Sequence, residues 1–368
     1  MIYLDHNATT PLDEKVLDAM LPYLNQVYGN PSSLYRLGRI SRSAIDTARE
    51  QIADLIDARA EEIIFTSGGT EANALAIKSL QDKTLYISAI EHPSVSDNGL
   101  DRNIAANILA VDDQGRVCTD NKEWQQMPPE AWVSVMMANN ETGVIQDLPK
   151  LTADCQERGI YFHTDAVQAL GKLDFSFRKL NLDMASLSSH KIYGPKGCGA
   201  LVVKDKSIIR ALQSGGMQEK SLRAGTENVA AIVGFGKAAE IAKQEIQQVQ
   251  TQLTHLRNYL HQELLKFENI HIFSGKADRL ANTIQFAIEN QQGEMLLMQL
   301  DQMGIAVSSG SACKAGSNIV SPVLTAMHIK PELAQSAIRV SLGKQNTEQQ
   351  IDQFLVALKT IIGHPYRG

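Results

Sequence analysis

The sequence predicts an α/β fold: a mainly parallel sheet covered by helices on both faces, followed by a smaller α+β unit. Three observations predict it. From about Glu62 onward, short apolar runs rich in β-branched residues alternate with helical patterns. The polar residues that look chemical stand directly behind those runs, where ligands gather in such sheets. The length of 368 residues, set against about 150 residues per domain, suggests two domains.

In order, IIFTS is a strand and TEANALAIKSL a helix. TLYISAI and WVSVMMA are strands, LPKLTADCQERG is a helix, and IYFHTDA, MASLSS and GALVVKD are further strands. Between Thr226 and Phe267 the pattern turns strongly helical, with Ile246, Val249, Leu253, Leu256, Leu260 and Leu264 along one face. This reads as one long helix joining two domains, because the stripe covers too few heptads for a coiled-coil partner. Beyond it, IHIF, TIQFAI, a helix near GEMLLMQLDQMG, the strand AIRVSLG and a last helix from Thr347 make up the smaller domain. No internal repeat is visible.

Composition narrows the function classes. With 43% hydrophobic and 21% charged residues, the chain is ordinary for a globular protein. A net charge of -6 without a basic stripe argues against direct nucleic-acid binding or an acidic membrane surface. No stretch approaches the roughly 20 apolar residues of a membrane helix, and MIYLDHNATT lacks the pattern of an export signal, so a cytoplasmic location is expected. Cys118, Cys155, Cys198 and Cys313 show no paired ligand spacing, which argues against a metal site or a disulfide framework.

Lys191 stands between the polar run Ser188-Ser189-His190 and the turn at Gly194-Pro195. An amine attacks a carbonyl only when unprotonated, so a lysine in surroundings that lower its pKa suits a Schiff base to a cofactor aldehyde, pyridoxal phosphate being the obvious one. A solvated surface charge is the bland alternative. IIFTS runs into Gly68, Gly69 and Thr70 and then into a helix, which makes an anion site suited to phosphate, or a plain glycine turn capped by Thr70. Asp165, at a strand's carboxyl end, demands a cation, either a protonated pyridine nitrogen or a core-edge salt bridge. Gln168, three residues on, can donate to a cofactor oxygen. His92, beside Pro93, can stack on a flat ring or relay protons, or simply cap its loop.

The cluster from Asn139 to Gly143 lies behind another strand, a position that suits a ligand contact. Cys313, in SSGSACKAGSN, can carry a thiol with a free pKa of about 8.5 toward a ligand and away again, or be incidental. The other three cysteines read as structural. Arg339 interrupts an apolar strand, which is costly unless it meets an anion: a substrate carboxylate or an internal salt-bridge partner.

The motifs YLDHNATTP, GNPSS, TSGGTEANALAI, EHPSV, NNETG, HTDAVQALGK, SSHKIYGPKG, RAGTENV, SSGSAC and AIRVSLG follow one another over nearly the whole chain. Together they resemble the cysteine desulfurases of the NifS and IscS type, class V aminotransferase-like enzymes of pyridoxal phosphate fold type I. The resemblance implies a seven-stranded sheet in a large domain of residues 14–255. It also implies a small domain, from residues 1–13 and 256–368, that carries the cysteine loop and Arg339. It implies pyridoxal 5'-phosphate on Lys191, with Asp165 at the pyridine nitrogen, Gln168 at the ring oxygen and His92 on the ring. Gly69, Thr70, Ser188 and His190 would hold the phosphate, joined by Thr226 from the neighbouring subunit of a homodimer. Asn140 and Arg339 would hold the substrate carboxylate.

The implied reaction takes L-cysteine to L-alanine, with the ring as electron sink, the Lys191 amine as base and Cys313 taking the sulfur as a persulfide. An acceptor protein would then receive it, for iron-sulfur cluster assembly or for tRNA or cofactor thiolation. The spacing from Cys313 to Arg339 matches the subgroup with a longer cysteine loop. However, KAGSNIVSP follows Cys313 where many relatives read Leu-Glu-Pro, and the chain stops at Gly368 without the tail that helps close relatives dock a scaffold. The acceptor therefore stays open. Two alternatives also remain: a selenocysteine lyase, cystine lyase or aminotransferase of the same fold, which may not need Cys313, and a non-catalytic dimeric scaffold for sulfur carriers.

Overall fold

The computed structural model describes residues 1–101, 105–309 and 320–363. In chain order its strands are β1 (Ile2–Tyr3), β2 (Ile63–Thr66), β3 (Leu85–Ser88), β4 (Asn107–Leu109), β5 (Trp132–Ser134), β6 (Tyr161–Asp165), β7 (Met184–Ser188), β8 (Gly199–Val203), β9 (Ile270–Ile272), β10 (Thr283–Ile288), β11 (Ile305–Ala306), β12 (Ser308–Ser309) and β13 (Ile338–Ser341). Seven of them form one sheet in the order β2-β8-β7-β6-β5-β3-β4. Strands β3 to β7 run parallel to one another, and β8 alone opposes both its neighbours. The mainly parallel seven-stranded sheet is as expected.

Successive strand residues face opposite sides of a sheet, and here both sides are cores. Ile63, Phe65, Val133, Leu187, Ala200 and Val202 pack on one side against the helices Arg36–Leu55, Leu148–Glu157 and Val229–Leu264. Ile64, Trp132, Met184, Leu201 and Val203 pack on the other against Gly69–Ser79. Burial on both sides is why these strands read as apolar runs rather than as alternation.

The smaller unit is an antiparallel sheet, β12-β13-β10-β9. Its core joins Ile284, Phe286, Ile338 and Val340 to Phe354 and Leu358 of the last helix, Glu348–Gly363. The long helix Val229–Leu264 serves both cores: Phe235 and Ala238 belong to the large one, and Leu253, Leu256, Leu260 and Leu264 to the small one. The stripe is thus a seam within the chain. Leu4 also lies in the small core, because β1 pairs in parallel with β11.

The first 61 residues carry no element assignment from the sequence. They form β1 and the helices Glu14–Asn25 and Arg36–Leu55. The second of these lies so close to the long helix that a Cβ on Gly236 would come within 2.5 Å of the Ala48 Cα.

Leu260→Ala should lower stability to urea by about 2–5 kcal/mol, the usual cost of a core leucine, with the association state unchanged. A change of association state with intact stability would mean that the stripe faces another chain.

Candidate active site

Strand pairing places the candidate residues on one edge. Asp165 pairs with Ser186, so β6 and β7 deliver Asp165 and Ser188 to the same carboxyl end. Gly199, the first residue of β8, pairs with both Ser188 and Thr66, which brings the end of β2 to the same place. The polar segments behind β2, β6 and β7 therefore converge, as strand ends do at a switch point in such sheets.

Behind β2, the amino end of the helix Gly69–Ser79 opens a concavity lined by Gly68, Gly69, Thr70, Ser188 and His190, with Thr9 of the N-terminal segment. Free N–H groups and the positive helix end favour an anion there. Gly69 must be small, since a Cβ would meet Val167 Cγ2 at 2.8 Å. Ser188 Oγ is buried with no hydrogen-bond partner among the described residues. His190 Nδ1 lies 3.1 Å from Thr9 Oγ1. Burial, followed by the charges of Lys191, Lys196 and Lys172, lowers its pKa to about 4, so the ring is neutral.

Asp165 is 4% exposed. Its Oδ1 accepts from Val167 N–H at 2.9 Å and its Oδ2 from Asn73 Nδ2 at 2.6 Å. Burial pushes the nearby Glu91 carboxyl up to about 8, against a hydrogen bond from Ser88 and with help from the Asp165 charge. At neutral pH Glu91 is therefore protonated. His92 caps the helix Pro93–Leu100, and Ser94 N–H donates to its Nδ1 at 3.1 Å. That donor leaves the proton of the neutral ring on Nε2. Burial lowers the pKa of His92, opposed by Asp165 and aided by Lys191.

Lys191 ends a short 3-10 turn after β7, and its Nζ donates to the carbonyls of Asn7 at 2.5 Å and Ala8 at 2.7 Å. Gln168 Nε2 donates to the same Asn7 carbonyl at 2.9 Å, and its Oε1 accepts from Lys172 Nζ at 2.7 Å.

Arg339 is 2% exposed. Its Nη2 pairs with Asp5 Oδ1 at 2.6 Å and its Nη1 donates to the Asn140 carbonyl at 3.0 Å. Of the two anions open to it from the sequence, the internal one is present, and Asn140 meets it through its backbone rather than its amide. Arg339 Nε is buried without a partner among the described residues. Beside it, burial pushes the Glu141 carboxyl up to about 7, against a 2.6 Å hydrogen bond from Ser321 and the Arg339 charge.

Thr226 is exposed and does not line its own chain's concavity. Cys313 lies outside the described residues. Cys155 and Cys198 are buried thiols pushed up to about 12 by burial, as inert structural cysteines are. Cys118 is partly exposed, its pKa also raised, first by burial and then by Asp112 and Asp120. Among the described residues, no cluster of His, Cys, Asp or Glu could hold a metal ion, and no helix is long and apolar enough to cross a membrane.

Four residues of the site escape a sequence reading: Asn7, Asn73, Glu91 and Lys172. Asn73 left a trace, as a polar residue in the apolar helix pattern TEANALAI, and Glu91 stands next to His92. Asn7 and Lys172 stand within the motifs YLDHNATTP and HTDAVQALGK, but nothing in their residue type or spacing assigned them a role, because they meet each other across 165 residues.

The edge fits a flat pyridine bearing a phosphate. It combines a concavity with an orphaned buried hydroxyl, a carboxylate steadied by two N–H donors, a neutral imidazole and an amine. Aminotransferase class-V is the family that matches, over residues 2–354. Cysteine desulfurase IscS of Methanosarcina thermophila is 42% identical, covering 98% of this chain and 92% of that protein. The structure of a NifS-like protein from Rickettsia africae ESF-5 superimposes with a TM-score of 0.92 at 37% identity, covering 99% of this chain and all of that one. SspA in complex with cysteine gives a TM-score of 0.81 at 32% identity, covering 94% of this chain and 100% of that one. The chain belongs to the aminotransferase class-V family, within its branch of NifS- and IscS-type cysteine desulfurases.

The Glu91 environment predicts a pH signature. An unfolded chain releases this proton near 4.5 and the native state near 8, so native stability falls as pH rises between the two. Glu91→Gln cannot titrate. From pH 5 to pH 8 its unfolding free energy should gain on the wild type by more than about 1 kcal/mol in urea titrations. A constant difference would show that Glu91 ionises normally.

Proposed function

We propose that this cysteine desulfurase uses pyridoxal phosphate to convert L-cysteine to L-alanine, and that Cys313 carries the sulfur away as a persulfide. One observation carries the reading: Lys191 and Asp165 emerge from adjacent parallel strands at one sheet edge, beside an anion concavity with a serine hydroxyl that has no partner among the described residues. When bound, the cofactor supplies an electrophilic aldehyde and an electron sink for charge developing at the substrate Cα.

Lys191 would hold the group, with Asp165 at its ring nitrogen, Gln168 donating to its ring oxygen and His92 on its face. Gly69, Thr70, Ser188 and His190 would take the phosphate. The exposure of Thr226 suits a residue that reaches the concavity of a neighbouring subunit in a homodimer. Arg339 and Asn140 would hold the cysteine carboxylate, with Asp5 sharing the guanidinium. A split into a large domain of residues 14–255 and a small one of 1–13 and 256–368 is supported by Leu4 and Leu256 lying in one core and Val16 in the other, although Leu253, in the same core as Leu256, puts the change of core along the long helix slightly before residue 255.

The Lys191 amine would remove the proton from the substrate Cα. The Cys313 thiolate would attack the substrate sulfur: an S–S bond forms, the C–S bond breaks, and the carbon left behind is protonated. Cysteine and one thiol thus give alanine and one persulfide, with no outside oxidant. The persulfide would pass to an acceptor protein, for iron-sulfur cluster assembly or for tRNA or cofactor thiolation. A reducing cytoplasm suits such free-thiol chemistry.

The cofactor-loaded protein, given L-cysteine and a reductant, should release alanine and sulfide in equal amounts. Cys313→Ala should lose both by at least about 100-fold, as the loss of a covalent nucleophile does. Undiminished turnover in the variant would favour a lyase, and no turnover in either protein would favour a scaffold.

A further inference from the structure

Lys172 has no part in the scheme above, yet its amine enters the same site. Nζ donates to Gln168 Oε1 at 2.7 Å and to Asn7 Oδ1 at 3.1 Å. Burial, then the nearby charges of Lys191 and Arg339, holds its pKa well below the usual lysine range. An amine kept in such surroundings loses its solvation, and these two amide oxygens replace part of it.

The contact matters because of what a carboxamide is. Its oxygen and nitrogen ends have nearly the same shape and opposite hydrogen-bonding character, so the neighbours decide which end faces which way. With Oε1 taken by Lys172, the Gln168 nitrogen is aimed the other way, at the Asn7 carbonyl. The Asn7 side chain does not depend on Lys172 alone, since Asn282 Nδ2 also donates to its Oδ1, at 3.0 Å. Loss of Lys172 would therefore fall mainly on Gln168. A reversed Gln168 amide would present an oxygen to an anionic ring oxygen, turning a hydrogen bond into repulsion.

We propose that Lys172 is a positioning residue for the cofactor, holding the Gln168 carboxamide so that its nitrogen end is the one presented to the ring oxygen. This rests on the reading that Gln168 meets that oxygen. Four variants test it in the loaded enzyme: Lys172→Met, Lys172→Arg, Gln168→Leu and the double variant Lys172→Met with Gln168→Leu. The readouts are the dissociation constant of pyridoxal phosphate, the pH midpoint of its visible absorption band, and the thermal midpoint as a control.

Lys172→Met should weaken cofactor binding about fivefold, the effect of one lost hydrogen bond, and move the spectral midpoint by about half a pH unit. Lys172→Arg keeps donors and should stay near the wild type. In the Gln168→Leu background, Lys172→Met should add nothing, because its effect passes through Gln168. An unchanged affinity and midpoint in Lys172→Met, or the same shift with and without Gln168, would overturn the proposal. A Gln168→Leu enzyme with an unchanged spectrum and affinity would overturn the reading of Gln168, and the proposal with it. Should Lys172→Met not fold, Lys172→Gln takes its place under the same criteria.

Discussion

The site depends on Asn7. Its backbone carbonyl receives Lys191 and Gln168. Its side-chain oxygen receives Lys172 and Asn282, and its side-chain nitrogen donates to Thr283 and to the Asn140 carbonyl. Its N–H donates to Ser341 Oγ at 2.9 Å. Lys191, Gln168 and Asn140 belong to the edge of the large sheet, whereas Thr283 and Ser341 lie in strands of the small one and Asn282 directly precedes β10. A residue only 1% exposed cannot turn to water for these partners, and each one lost leaves a buried polar group costing about 1–3 kcal/mol. The N-terminal segment thus acts as a strut between the amine at Lys191 and the guanidinium at Arg339. Arg339 is itself tied to Asp5, two residues before Asn7.

Burial also decides which groups around the strut carry charge. Glu91 and Glu141 would add negative charge near Asp165 and Arg339, but desolvation raises both toward or above neutrality. His6 and His190 are lowered to about 4, so neither ring adds positive charge at neutral pH. Facing the N-terminal segment are the amines of Lys191 and Lys172 and the guanidinium of Arg339, with Asp165 at the strand end. That distribution suits a ligand with two anionic groups and one cationic ring nitrogen.

The sheet was legible because strands buried on both faces cannot hide their composition. Asp165 and His92 drew notice for a related reason: each stands at or just behind the end of an apolar run, where a polar residue needs explaining, whereas Lys191 stood out by its place between a polar run and a Gly-Pro turn, and Ser188 entered through its motif. The helix Arg36–Leu55 was not, since Ser41 and Arg49 lie among its buried residues. Arg49 is tolerated there because Glu219, 170 residues away, meets it twice, at 2.6 and 2.9 Å, and the Ile63 carbonyl accepts from it at 2.7 Å. Arg339 was half legible. The cost of its burial demanded an anion, but no local pattern could point to Asp5, 334 residues distant. Cys313 lies outside the described residues, so its part in the mechanism rests on the motif and on family membership.

The central claim is that the Lys191 site and Cys313 act as one machine, and the most direct measurement is the mass of the protein after one exposure to L-cysteine without reductant. In the cofactor-loaded wild type, one extra sulfur atom should appear on the peptide containing Cys313, and in Lys191→Ala none should appear. Sulfur on that peptide without Lys191, or on Cys118 instead, would contradict the account.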